Sequence, residues 1–250
     1  MPATPPPDAA PVARVVNLIR IGREQARTGP WRGDRAVALL APTPQDPAPS
    51  ADFIRQCLSV LLSRGFRRVV TGALSPLEQT GFLAAGFGVE ERLHLLAHDL
   101  ALLPDARPAD ARLRRARRGD RAAVLGVDHA AFPPFWRLDE PGLEEAVGAT
   151  PRARFRVAAT DDGAVCGYAI CGRAGTRGYV QRLGVDPARH GKGIGRALML
   201  DGMRWMKHRG VERAVVNTQT TNEVALTLYQ SLGFRLEPVG LSVLATELAP

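Results

Sequence analysis

Along this chain the spacing of apolar positions switches repeatedly between a strand-like period of about 2 and a helix-like period of about 3.6. Downstream of residue 111, LRRAR (113–117) predicts a short strand, and Asp120 caps a helix running to Ala131. PGLEEAVGAT (141–150) predicts a second helix. FRVAAT (155–160) and AVCGYAICG (164–172) predict a hairpin closed by Asp161-Asp162-Gly163. Strand GYVQRLGV (178–185) follows, then a helix from Gly195 to His208 that stops at Arg209-Gly210. AVVNT (214–218) is a strand, NEVALTLYQSLGF (222–234) a helix, and residues 235–248 a closing strand pair.

The first part of the chain repeats some of this order. GDRAVALLAP (33–42) predicts a strand, ADFIRQCLSVLLSRG (51–65) a helix, and FRRVVTGAL (66–74) a strand. LEQTGFLAAGF (77–87) predicts a helix and VEERLHLLAHDL (89–100) a strand. The run helix, Arg-Gly, strand, helix, Gly-Phe spans Arg64-Gly65 to Gly86-Phe87 and recurs from Arg209-Gly210 to Gly233-Phe234, which suggests an internal duplication. The expected organisation is a Pro/Ala-rich disordered leader at 1–11, a first domain at 12–104, a linker at 105–111 and a second domain at 112–250. The fold class is α/β (α+β), a mixed sheet flanked by helices.

Composition narrows this picture. With 45% hydrophobic and 23% charged residues the chain can bury a core. The start, MPATPPPDAAP, lacks the basic and apolar regions of a signal peptide, and no apolar stretch is long enough to span a membrane. Cys57, Cys166 and Cys171 form no C-x-x-C pair, so neither a disulfide framework nor a metal site is expected and a cytoplasmic location fits. On one straight strand Cys166 and Cys171 would face opposite sides. The net charge of +8 suits an acidic partner, either nucleic acid or a phosphate-bearing cofactor. The arginines of 112–121 carry no interleaved aromatics; a solvated face fits them better than nucleic-acid contact, and no nucleic-acid or membrane partner is expected.

The sharpest chemical signal is His190-Gly191-Lys192-Gly193-Ile194-Gly195-Arg196, between a strand and a helix. Close glycines let backbone N–H groups turn toward a ligand, and a helix start adds unpaired N–H groups and partial positive charge. Together these suit a diphosphate; a glycine-rich helix cap without a ligand is the alternative. The residues after Lys192 do not complete the nucleotide-binding loop G-x-x-x-x-G-K-[ST], and the spacing G-x-G-x-G departs from the dinucleotide fingerprint. The second signal is the helix carrying Asn222, Ala225 and Tyr229 on one face. Small Ala225 would let a ligand pass closely; a core helix with Tyr229 packed inside is the alternative.

In this order, the loop 190–196 and the helix 222–234 resemble the two signature motifs of the GNAT superfamily of N-acetyltransferases, with the likeness covering about 111–248. The resemblance implies a mostly antiparallel twisted sheet and transfer of an acetyl group from acetyl-CoA to an amine by direct attack in a ternary complex. It implies that Leu183, Gly184 and Val185 hold the pantetheine arm, with the Val185 N–H toward the thioester oxygen. His190, Gly191, Lys192, Gly193, Ile194, Gly195 and Arg196 would hold the diphosphate, Asn222 would bond the arm, and Tyr229 would protonate the leaving thiolate. One aimed N–H is worth ~3 kcal/mol to an oxyanion, and a hydroxyl of pKa ~10 can serve a thiolate of pKa ~8.5.

The sequence departs from the family pattern at His190, where many relatives have Gln or Arg, and near Gln181, where many have Glu. Gln cannot act as a base. Asp128, His129, Asp139 and Glu140 lie in the acceptor region of relatives, with surface or capping roles as the alternative. Phe132, Phe135 and Trp136 suit an acceptor pocket or a core. Aligning Gly86-Phe87 with Gly233-Phe234 sets Ser75 against Asn222, Glu78 against Ala225 and Phe82 against Tyr229, so the first copy is expected to be degenerate. The acceptor is an amine on a peptide, protein or metabolite, and the chain a monomer or homodimer. A coenzyme-A-sensing module without turnover and a nucleic-acid binder are the competing functions.

Overall fold

A computed structural model describes residues 17–43, 46–107 and 109–249; the leader expected at 1–11 lies outside them. The chain runs β1 (Asn17–Ile21), β2 (Glu24–Trp31), β3 (Asp34–Pro42), α1 (Ala51–Ser63), β4 (Arg68–Val70), α2 (Pro76–Ala84) and β5 (Gly88–His98). It continues through β6 (Arg112–Arg115), α3 (Arg121–Ala131), α4 (Glu140–Gly148), β7 (Arg152–Ala159), β8 (Val165–Ala174) and β9 (Arg177–Val185). Then come α5 (Ile194–His208), β10 (Arg213–Gln219), α6 (Glu223–Ser231), β11 (Arg235–Leu236) and β12 (Leu241–Glu247).

The strands form one sheet in the order β1-β2-β3-β4-β12-β5-β10-β9-β8-β7-β6, with β11 also on β5. Neighbours are antiparallel except β3 with β4 and β9 with β10. This is the mixed, mostly antiparallel sheet expected, twisted as strands of L-residues twist.

Helices α1, α2, α5 and α6 cover one face. Phe53, Ile54, Leu61 and Phe82 pack there against Leu40, Val69 and Leu244, and Met199, Met203, Met206 and Tyr229 against Leu96, Cys171 and Val216. The other face carries α3 and α4 over Tyr168 and Ile170. Beside them Phe135 and Trp136, in the short turn Pro134–Trp136, lie over Trp31, Val70, Leu93 and Val243.

Two expectations change. Residues 235–248 do not form a pair facing each other: Arg235–Leu236 lies beside Ala97 and Leu96, and Leu241–Ala245 beside Leu93–Gly88. They are two segments of one line along β5, interrupted at Pro238, which has no N–H to donate. The second change concerns the cysteines. The β7–β8 register skips Cys166, a bulge, and Cys166 packs with Ala158, Ile194 and Leu198 while Cys171 packs with Met199 and Met203. Both thiols therefore sit on the α5 side, because the bulge reverses the alternation. Gly202 makes room for one of them: a Cβ there would stand 2.5 Å from the Cys171 sulfur.

Strands β1 and β2 were not legible from the pattern. Their stretch is polar, and only Ile19, Ala26, Thr28 and Trp31 are buried. The halves interlock, since β12 fills the gap between β4 and β5. The segment from β5 to β6 runs along α5: Leu100 is buried with Met206 and Val211, Lys207 Nζ donates to Ala101 O at 2.6 Å, and Asp110 N–H donates to Lys192 O.

Candidate functional site

β9 and β10 pair only from Arg177–Arg213 to Tyr179–Val215 and then part. The opening is a cleft of about 570 Å3 walled by the free ends of both strands, the glycine loop, α6, and residues Phe132 and Trp136. Asp186 N–H donates to Cys166 O at 3.0 Å, so that residue faces β8. By strand alternation Leu183 and Val185 turn their N–H groups to the open edge. Gly184 is required here: a Cβ would come within 2.6 Å of the Tyr168 ring.

The loop forms as the glycines demand. Gly191 and Gly193 have φ of 76° and 75°, the left-handed region, and Gly193 caps α5. The first helical bond runs from Ala197 N–H to Gly193 O, so the N–H groups of Ile194, Gly195 and Arg196 precede the ladder. Gly191, Gly193, Ile194, Gly195 and Arg196 line the cleft, with Arg189 and His190. His190 Nε2 lies 3.2 Å from Val185 O. Lys192 is not a lining residue: its ammonium sits 3.2 Å from Asp110, which also faces Arg189 at 3.5 Å. Arg196 reaches Ser231 at 3.3 Å.

Asn222, Ala225, Leu228 and Tyr229 form the α6 wall. Asn222 Oδ1 caps the helix by accepting from Ala225 N–H at 3.1 Å, leaving its amide NH2 for other partners. Tyr229 is 5% exposed, and burial, with Cys171 close by, pushes its hydroxyl above the ordinary tyrosine range. It therefore stays protonated at neutral pH, with a proton to give but as a weaker acid than a free tyrosine. Phe82, which the sequence alignment sets against Tyr229, is fully buried and edge-on to Phe87 at 5.1 Å. There the start of α1 is already filled: the Glu24 carboxylate accepts from Ser50 N–H at 2.6 Å and from its hydroxyl at 2.7 Å.

None of the four base candidates lines the cleft. Asp128 is fully buried and accepts from Leu138 N–H at 2.7 Å, from Arg182 Nε at 2.9 Å and from the Tyr168 hydroxyl. His129 Nε2 meets Leu138 O at 2.8 Å, Asp139 caps α4 through Gly142 N–H at 2.8 Å, and exposed Glu140 lies 4.0 Å from Arg121. Gln181 does line the cleft, at a register shift between β8 and β9.

Several lining residues were missed in the sequence. Arg32 and Leu93 come from the first half, and Asn217 and Gln219 from β10. Arg182 Nη2 donates to Trp136 O at 2.6 Å and its guanidinium lies 3.6 Å from the centre of the Phe132 ring, so it fixes both aromatics at the cleft. Three of the six arginines of the basic run are in ion pairs: Arg114 with Asp120 at 2.7 Å, Arg121 with Glu144 at 2.6 Å, Arg112 with Asp161 at 3.3 Å. Among the described residues no helix is long and apolar enough to cross a membrane, and no group of three or more His, Cys, Asp or Glu is placed to hold a metal.

Comparison with known proteins gives the same direction. A mycothiol acetyltransferase of Thermobispora bispora is 29% identical over 232 residues, covering 82% of this chain and 78% of the relative. Another, from Saccharomonospora viridis, is 34% identical over 142 residues, with 51% of this chain and 46% of that one covered. Among solved structures, a tandem GNAT protein from the clavulanic acid biosynthesis pathway superposes with a TM-score of 0.69 at 16% identity, covering 96% of this chain and 85% of that one. A GCN5-related N-acetyltransferase from Sphaerobacter thermophilus gives 0.63 at 17%, covering 90% and 77%. At those identities the likeness to the structures is one of fold. Residues 124–234, which contain the parted strand β9, the left-handed glycines and Tyr229, match the Acetyltransferase (GNAT) family, so this segment of the chain is a domain of that family.

Proposed function

We propose that the chain transfers an acetyl group from acetyl-CoA to an amine, both bound together in the cleft between β9 and β10. The observation that carries this is the open edge of β9 running into a helix start whose first N–H groups have no place in the ladder. An extended amide-bearing arm can add to such an edge as a further strand does, and a diphosphate can take the N–H groups of Gly191 to Arg196. The Val185 N–H is available to a developing oxyanion, and Tyr229 to a departing thiolate. Lys192, paired with Asp110 and outside the lining, contributes charge near the diphosphate, while Arg196 lines the cleft and also reaches Ser231.

We infer further that residues 12–104 are a degenerate copy of the fold, joined through 105–111 to a catalytic domain at 112–250. Phe82 in place of a hydroxyl, and Glu24 lying on the start of α1, favour a silent half. The relatives named mycothiol acetyltransferase and the cleft's size favour a small-molecule acceptor. The test is thiol release from acetyl-CoA against a panel of amines and peptide N-termini. Tyr229→Phe is expected to lower kcat about 100-fold or more with cofactor affinity nearly unchanged. Unaltered turnover removes the proton-donor role. Cofactor binding without release for any amine would favour a sensing module.

A further inference from the structure

The cleft brings guanidiniums and amides to the place where an amine must lose a proton. Among the described residues no Asp or Glu lines it. Arg32 and Arg182 stand at the Trp136 end, while Arg189, His190 and Arg196 belong to the loop end. The carboxylates nearby are engaged outside the lining. Asp128 lies behind Arg182, and its two oxygens take donors from Arg182, Tyr168 and Leu138. Asp139, close to Gly33 beside Arg32, caps α4. Glu91 accepts from Trp136 Nε1 at 2.6 Å, two residues beyond the lining Leu93 on β5.

The two remaining groups do not supply a base either. His190 Nε2 donates to Val185 O, which holds the ring in the glycine loop where the diphosphate would lie; its lone pair on Nδ1 is at that end of the cleft and not at the Gln181 floor. Gln181 stands at the floor with its orientation fixed by a chain of donors. The Thr150 hydroxyl gives its proton to Arg152 O at 3.1 Å, so it must accept from Gln181 Nε2 at 3.3 Å. Gln181 Oε1 then faces the other way, buried and without a partner. An amide in either orientation cannot take up a proton.

Resting on the transfer reading above, we propose that this enzyme deprotonates no acceptor: it takes amines of low basicity, of the α-amino kind, that arrive neutral. The neutral nitrogen attacks the thioester carbon, the N–C bond forms and the C–S bond breaks. The leaving sulfur takes the Tyr229 proton, the new amide nitrogen sheds its extra proton to water, and the phenolate recovers one from water. At pH 7 the neutral fraction of an α-amine (pKa ~8) exceeds that of a lysine-type amine (pKa ~10.4) by about 250-fold.

The experiment measures kcat/KM for thiol release against pH with two acceptors of similar size, an amino-acid amide and an alkylamine. The acid limb is expected to move with the acceptor's own pKa; a limb at one pH for both acceptors means an enzyme base and overturns the inference. Gln181→Glu is expected to add a limb in the carboxylate range and to raise the alkylamine rate at neutral pH at least tenfold. An unchanged profile in that variant also counts against the inference, because the floor is then not where the amine sits. Absence of release with every amine sinks the transfer reading itself, whereas a shared limb sinks only this one.

Discussion

The Arg182 guanidinium lies 2.7 Å from the carboxylate of Asp128, with side-chain exposures of 10% and 0%. Two charges so far from water hold each other only while both remain, and this pair also carries the wall of the site. Arg182 holds the Trp136 carbonyl and covers Phe132, while Asp128 ties Tyr168 and the Leu138 N–H.

Asp128→Ala is therefore expected to destabilise the protein by about 3–5 kcal/mol, the cost of stranding a buried charge together with its neutral donors. Arg182→Met removes the guanidinium from Phe132 and from the Trp136 carbonyl and leaves Asp128 without its cation; in the fraction that folds it is expected to raise acceptor KM more than cofactor Kd. Denaturant unfolding measures the first, and steady-state kinetics beside calorimetry the second. A loss under 1 kcal/mol in Asp128→Ala would mean that the pair is solvated in solution.

A second ion pair sets a pH limit. Arg114 grips Asp120 through bonds of 2.7 and 2.8 Å, Arg117 N–H adds one of 2.6 Å, and together they hold the carboxyl down to about 2 from 3.8. A carboxyl depressed by folding stabilises the folded state fully above its unfolded pKa, ~3.9, and loses that contribution as the pH falls through the folded value. Asp120→Asn is expected to cost about 1–2 kcal/mol at neutral pH, and the gap from the parent should close between about pH 4 and pH 2. Thermal unfolding across that range measures it; a constant gap would assign the loss to helix geometry.

What the sequence made legible follows from how local each feature is. The glycine loop and the face of Asn222, Ala225 and Tyr229 lie within single stretches, and backbone freedom or helical spacing suffices to place them. The acceptor wall does not work that way. Leu93 reaches the cleft because β5 pairs with β10, opposite Gln219, and Arg32 because the turn between β2 and β3 stands near Asp139 and Gly142. Neither contact leaves a periodic trace. The interruption at Pro238 was visible in the chain, yet which strand the flanking segments follow depends on the far edge of β5. Asp128 illustrates the same limit from the other side, since its residue type suits a base while its burial and partners make it a brace.

At the loop, Gly193 has φ of 75°, a region in which a β-branched side chain is strained. Gly193→Val is expected to weaken cofactor affinity about tenfold or more, as the strain of ~1–3 kcal/mol is relieved by turning the amides away. Gly193→Asn, which tolerates the left-handed region, should retain most of it. Calorimetric titration of coenzyme A into both variants gives the comparison. Equal affinity in Val and parent would detach the loop from cofactor binding.

Asp110 sits across the same loop from outside, 3.2 Å from Lys192 and 3.5 Å from Arg189. Its carboxylate holds cations that would otherwise add to the field at the helix start. The pair is exposed, 42% for Lys192 and 61% for Asp110, so its worth is at most about 1 kcal/mol. Asp110→Ala is accordingly expected to tighten coenzyme A binding by up to about fivefold at low salt, with the gain fading as ionic strength rises. Pantetheine, which has no diphosphate, should bind parent and variant alike. A gain that persists at high salt, or appears equally for pantetheine, would place the effect in the backbone bond from Asp110 N–H to Lys192 O rather than in charge.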